Sequence, residues 1–139
     1  MKYLGLDLGS KTLGIAISDN TNTIASIYKT LRFMENDESS TIPLIKKIVE
    51  DENIGKIILG LPKNMNNTLG NRAIITNKYK ESLERALNIP IILLDERLTT
   101  IISENVLIEA NVSRKKRKKV VDNMAAVIIL QNYLDKERK

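Results

Sequence analysis

The chain contains no cysteine and no histidine in its 139 residues. Without cysteine, disulfides, zinc knuckles and thiol catalysis are excluded. Without histidine there is no Ser-His-Asp or Cys-His machinery, no histidine general base and no histidine metal ligand. Any hydrolytic chemistry must therefore come from carboxylates, lysine or a bound metal. Tryptophan is also absent and Phe33 is the single phenylalanine, although four tyrosines remain. That leaves few aromatic platforms on which single-stranded bases could stack, so contact with a nucleic-acid backbone is the expected mode. No stretch reaches the apolar length of a membrane span, and one lysine leads directly into the first strand without a signal-peptide pattern. A soluble, cytoplasmic protein with no membrane partner is expected. Nothing reads as a linker, and residues 1–139 are expected to form a single domain, too short for two lobes around a cleft.

What is present is positive charge. The formal net charge is +5 and the pI is near 9.4, which favours a polyanionic partner without saying anything about fold. The distribution says more than the total: Arg114, Lys115, Lys116, Arg117, Lys118 and Lys119 form an unbroken basic run. It is read here as a loop between two helical segments. Such a run is ordinarily a solvated loop, and its place just before Asp122 tilts the balance toward nucleic-acid contact.

Against this background one acid stands out. Asp7 interrupts the strand-like run from Met1 to Gly9, where a buried carboxylate needs a partner. With the strand period of two, Tyr3, Gly5, Asp7 and Gly9 share one face, and Lys2, Leu4, Leu6 and Leu8 the other. The run from Leu13 to Asp19 repeats the device, with Leu13, Ile15 and Ile17 opposite Gly14, Ala16 and Ser18. Paired as a hairpin across Ser10-Lys11-Thr12, the two small faces make an open floor around Asp7, as glycine in a strand permits. A third strand is expected over Thr23 to Leu31, a helix over Pro43 to Glu52 with Ser40 or Thr41 as N-cap, and a buried parallel strand over Lys56 to Leu61. A helix from about Asn71 to Leu87, a strand over Ile91 to Leu94, a helix from Thr99 or Thr100 through Ala110 and a last helix from about Val121 to Leu134 complete the reading. Three antiparallel strands followed by helix–strand units make an α/β fold with a mixed five-stranded sheet and helices on both faces. Right-handed crossovers put the fourth strand beside the first and the fifth outside it. Sites in such sheets lie at the carboxyl ends of the parallel strands, where Asp7, Gly60-Leu61-Pro62 and Asp95-Glu96 fall.

Asp122 precedes Ala125 and Ala126 by one turn, and those small residues would let the last helix approach the glycine floor. Asp7, one of Asp95 and Glu96, and Asp122 could then converge. Strand alternation sends Asp95 and Glu96 to opposite faces, so only one easily joins. Carboxylates within about 4–6 Å repel unless a cation neutralises them. Oxygen-only donors suit Mg²⁺ or Mn²⁺, and two such ions about 3.5–4 Å apart can activate a water and stabilise the leaving oxygen of a phosphodiester. Taken singly, the acids have ordinary readings: Asp122 as a first-turn charge favouring the helix dipole, Asp95 and Glu96 as solvated strand-end residues, Asp19 as a turn residue.

Four blocks together carry a resemblance: Leu4-Gly5-Leu6-Asp7-Leu8-Gly9-Ser10-Lys11-Thr12 with Gly14-Ile15-Ala16; Gly60-Leu61-Pro62; Asp95-Glu96-Arg97-Leu98-Thr99-Thr100; and Val121-Asp122 with Ala125 through Gln131. In this order they resemble the YqgF (RuvX) family of the RNase H-like superfamily. Its members are described as candidate Holliday junction resolvases or as nucleases that process the 5′ end of precursor 16S ribosomal RNA. The resemblance implies an RNase H-like fold, catalytic and metal-holding roles for Asp7, Glu96 and Asp122 with Asp95 as the alternative ligand, and Mg²⁺ or Mn²⁺ as cofactor. Lys11, Arg97 and the basic run from Arg114 to Lys119 are the candidate nucleic-acid contacts. The implied partners are structured RNA, ribosomal precursor particles and branched DNA, with the oligomeric state open. Where the family tends to have glycine after the methionine, Met65-Asn66-Asn67-Thr68 has asparagine, which tolerates the same left-handed backbone. Two other classes compete. Asp7-Leu8-Gly9-Ser10 resembles a phosphate loop of actin-like ATPases and sugar kinases, which need two lobes, and the basic run alone would suit a noncatalytic RNA-binding ribosome-assembly factor.

Overall fold

The computed structural model describes residues 1–61, 71–95 and 114–137, apart from the side chains at 71, 95 and 114–123. In chain order the elements are β1 (Lys2–Leu8), β2 (Thr12–Ser18), β3 (Ala25–Arg32), a 3-10 turn (Glu38–Thr41), α1 (Ile42–Asp51), β4 (Ile54–Leu61), α2 (Asn71–Ala86), β5 (Ile91–Asp95) and α3 (Arg114–Glu137). The helix expected between Thr99 or Thr100 and Ala110 lies outside the described residues, as does the chain from Pro62 to Gly70.

The strands form one sheet in the order β3-β2-β1-β4-β5. The β1–β2 and β2–β3 pairs are antiparallel, and β4 and β5 run parallel to β1. This is the expected mixed sheet, with Asp7 on its central strand. Alternation along β1 sorts the two cores. Leu4, Leu6 and Leu8 join Leu13, Ile15, Ile57 and Leu59 beneath Ile45 and Ile48 of α1 and Tyr79 and Leu83 of α2. Ala16 and Ile58 on the other face meet Ala126, Ile129, Leu130 and Leu134 of α3, with Tyr3, Ile92 and Leu94 alongside. Each fully buried Leu or Ile stabilises the fold by about 1.5–3 kcal/mol, so α1 and α2 hold one layer and α3 the other.

Helix α1 begins with Pro43 in its first turn, where the missing N–H costs nothing. Thr41 is the N-cap residue, but its hydroxyl makes no capping bond. It donates instead to the Glu38 carbonyl at 2.7 Å and shares a buried 2.6 Å bond with the Tyr79 hydroxyl. Asn53, with φ of 55°, takes the left-handed turn that ends the helix and sends the chain into β4.

The largest departure from expectation is at the basic run. Arg114 through Lys119 belong to α3, which starts seven residues ahead of the expected Val121. Lysine and arginine are good helix formers, and no glycine or proline interrupts residues 111–137, so the charge run does not mark a boundary. Asp122 therefore lies about two turns inside the helix, too deep for the dipole role open to a first-turn acid.

Candidate active site at the carboxyl edge of the sheet

Two glycines set the geometry around Asp7. A Cβ built on Gly5 would stand 2.7 Å from the Ala126 carbonyl oxygen and 2.7 Å from Leu130 Cβ. Those distances are far inside van der Waals contact, so α3 can lie where it does only because residue 5 has no side chain. Asp7, two residues on and on the same face, is half-buried and sits opposite Gly14 of β2. Gly5 is thus buried under α3, whereas Asp7 keeps part of its surface exposed. Gly9 serves a different purpose from the floor expected of it. It lies beyond β1, its N–H donates to the Thr12 carbonyl at 2.7 Å, and a Cβ there would press on Thr12 Oγ1 at 3.1 Å. Its missing side chain closes the hairpin.

The direction of α3 follows from its contacts. Tyr3 meets Tyr133 edge-on with ring centroids 6.2 Å apart, while Gly5 meets Ala126 and Leu130, so the helix runs antiparallel to β1. Going from Gly5 to Asp7 advances about 6.6 Å along the strand. Going from Ala126 back to Asp122 retreats about 6 Å along the helix, on the same helical face. The backbone at position 122 is thereby brought to the level of Asp7.

Two anchors hold that alignment. The Gln131 amide acts as a strand edge: its Oε1 accepts from the Ala25 N–H and its Nε2 donates to the Thr23 carbonyl, both at 2.9 Å. At the far end of the helix the Lys56 ammonium donates to the Tyr133 hydroxyl at 2.8 Å and to Glu137 at 3.0 Å. It also lies 5.0 Å from the centre of the Tyr3 ring. The hydrogen bond to Tyr133, aided by that to Glu137, pushes the lysine up from its ordinary pKa. The Lys56 bond in turn holds the Glu137 carboxyl below its ordinary value.

On the other side of β1, strand β5 pairs Gly60 with Leu94 and Leu61 with Asp95. Ile91 and Leu93 pack with the α1 and α2 layer, whereas Ile92 and Leu94 pack with α3. Position 95 takes the phase of Ile91 and Leu93, which is the phase opposite Asp7. Glu96 and Arg97 lie outside the described residues. Lys11 is exposed in the β1–β2 turn, with its carbonyl accepting from the Phe33 N–H at 3.0 Å. Asp19 is a turn residue, as read from the sequence. The Thr21 hydroxyl donates to it, with the N–H groups of Thr23 and Ile24, and these bonds hold its carboxyl at about 2.

One residue at this edge was missed. Arg72, half-buried at the start of α2, donates from Nη2 to the Leu8 carbonyl at 3.2 Å, directly after Asp7. A basic residue opening a helix was the available signal, because that end ordinarily favours acids.

Among the described residues no three potential ligands stand together, and no helix is long and apolar enough to cross a membrane. The donor chemistry available at this edge nevertheless fits a hard divalent cation, since the chain offers carboxylate oxygen and neither imidazole nor thiolate.

Comparison with known proteins gives the family. The family model "RuvX: Holliday junction resolvase" matches residues 1–136. The chain belongs to the RuvX family. A relative from Oceanobacillus iheyensis, named "Putative pre-16S rRNA nuclease", is 53% identical over 137 residues, covering 99% of this chain and 100% of its own. In fold, this RuvX member resembles Thermus thermophilus RuvC in complex with a Holliday junction substrate, with a TM-score of 0.59 at 10% identity, covering 99% of this chain and 96% of that one. The Fowlpox virus resolvase in complex with Holliday junction DNA matches with a TM-score of 0.55 at 14% identity, over 100% of both chains. The α/β fold is accordingly RNase H-like.

Proposed function

We propose that this chain is a divalent-metal-dependent nuclease that hydrolyses phosphodiesters of structured RNA, and that its target is the 5′ region of precursor 16S ribosomal RNA. The observation that carries the reading is the seating of α3 on Gly5, which runs the helix antiparallel to β1 and brings the backbone near position 122 to the level of Asp7. The names borne by relatives at about half identity support the RNA target.

Asp7, Glu96 and Asp122 are the carboxylates assigned to hold Mg²⁺ or Mn²⁺. Glu96 is preferred to Asp95 because position 95 has the phase of the face opposite Asp7 and the family resemblance implies the role for Glu96. Bound there, the cation would supply electrostatic stabilisation of the developing phosphate charge and activation of the attacking water. The protein's part is placement. Strand β1 fixes Asp7 on the sheet, Gln131 and Lys56 fix the axial position of α3, and the positive run ahead of Asp122 draws the phosphate backbone across the sheet edge. Carboxylates bind such a cation in their ionised form, so metal binding should weaken as pH falls through the carboxylate range.

Junction resolution is the second reading, supported by the two resolvase folds bound to branched DNA. A resolvase acting on a two-fold symmetric junction needs two copies. The deciding experiment offers a precursor 16S fragment and a four-way DNA junction to the protein with Mn²⁺, with its mass in solution measured on each. Cleavage of the RNA by a monomer is expected; cleavage of the junction alone by a dimer would overturn the RNA assignment. Cleavage of neither would favour the noncatalytic RNA-binding reading. Measurable ATP turnover would instead favour the kinase-like one.

A further inference from the structure

We infer that Arg72 is a phosphate-contacting residue of this site, placed to grip the nucleic-acid backbone beside Asp7 from the layer opposite α3. The inference rests on the nuclease reading for its substrate class, but its physical basis is separate.

Leu8 ends β1. Because the Gly9 N–H bonds to Thr12, and bonded and unbonded pairs alternate in an antiparallel ladder, the Leu8 carbonyl faces away from β2 toward β4. The register of β1 with β4 runs only to Leu6 and Leu59, so no rung of that ladder is assigned at Leu8. Arg72 takes this carbonyl with one Nη2 bond. A guanidinium carries five N–H donors in a planar fork, and a single neutral carbonyl uses one. No ion pair joins Arg72 to a carboxylate among the described residues. The half-buried stem and the bond to Leu8 together pre-place a charge that an exposed lysine would have to order on binding.

The position is also poor on structural grounds alone. The first turn of α2 contains no acid, and a cation there opposes the helix dipole. A neutral donor would satisfy the Leu8 carbonyl without that cost. Local rules broken in this way mark functional positions. A phosphate at the carboxyl edge would supply a negative charge for its remaining donors, and bidentate contact is what arginine offers it.

The test is binding of a labelled precursor 16S RNA fragment in EDTA, where no cleavage occurs, measured across a salt series for wild type, Arg72→Gln and Arg72→Lys, with melting temperatures recorded alongside. Loss of one phosphate contact lowers the slope of log affinity against log salt by about 0.7–0.9. Arg72→Gln should show that drop and bind about tenfold more weakly or worse, while Arg72→Lys keeps the slope. An unchanged slope in Arg72→Gln, whatever its melting temperature, would reduce Arg72 to a strut for β1 and overturn the inference. Wild-type cleavage assayed separately with Mn²⁺ keeps the two readings apart. Cleavage with an unchanged Arg72→Gln slope sinks this inference alone, and a changed slope in a protein that never cleaves sinks the nuclease reading alone.

Discussion

Replacing Gly5 by alanine tests whether α3 is held in place by the missing side chain. Glycine inside a strand is ordinarily the poorer residue, and alanine there would be expected to stabilise by about 0.5–1 kcal/mol. Here the new methyl would meet the Ala126 carbonyl and Leu130 Cβ at 2.7 Å each, roughly 1 Å inside favourable contact. One of those atoms is helix backbone, so the strain cannot be relieved by a rotamer change. Overpacking of this kind costs about 1–3 kcal/mol, which reverses the sign. Relief would come from moving α3 off the sheet by up to about 1 Å, and position 122 would move with it. Misplacement on that scale lowers a reaction that depends on fixed groups by about 100-fold. Urea denaturation should show a lower midpoint with an unchanged slope, and single-turnover cleavage with Mn²⁺ should fall by one to two orders of magnitude. Gly55→Ala is the control. Its Cβ would meet the Met1 side chain at 2.9 Å, but Met1 is 70% exposed and can yield, so the cost should stay within about 0.5 kcal/mol. A Gly5→Ala protein as stable and as active as wild type would refute the reasoning.

Other outcomes follow from the same geometry. Glu96→Gln should abolish cleavage and Mn²⁺ binding, while Asp95→Asn should leave both within a few-fold of wild type; the opposite pattern in a metal titration would transfer the ligand role to Asp95. Gln131→Leu strands the Ala25 N–H and the Thr23 carbonyl and should cost about 1–3 kcal/mol in denaturant titrations, with a smaller loss counting against the amide as an anchor. Burial pushes the Tyr79 hydroxyl from 10.0 up to about 12. Between those values the unfolded chain has lost a proton that the folded chain still holds, so stability falls as pH rises, by about 3 kcal/mol in all. Thermal melts of Tyr79→Phe should lack that part of the alkaline decline, and identical pH profiles would place the cause elsewhere.

Much of this was legible in the sequence because strand alternation is a strong signal when one face is large and the other small. Leu4, Leu6 and Leu8 against Gly5 and Asp7 predicted both cores of the sheet, and Ala126 matched Gly5 as expected. The apolar runs ending at Leu61 and Leu94 identified the parallel strands for the same reason. The limits were equally physical. Helix α3 begins at Arg114 because basic residues propagate a helix well. Read as a loop, the same residues left Asp122 looking like an ordinary first-turn acid. Arg72 escaped notice because its meaning depends on a carbonyl far away in sequence, and the turn role of Gly9 because its contact is local to Thr12 rather than part of a pattern. The face that position 95 takes depends on which core Ile91 to Leu94 pack into, which no spacing contains.

The most direct measurement is single-turnover cleavage of a precursor 16S fragment with Mn²⁺ by wild type and by Asp7→Asn, with folding of both verified by denaturation. Cleavage by the wild type and a loss of at least about 100-fold in the variant is the expected result, because the oxygen at position 7 would no longer carry charge for the cation. Equal cleavage by a folded Asp7→Asn protein would contradict the assignment of this carboxylate site.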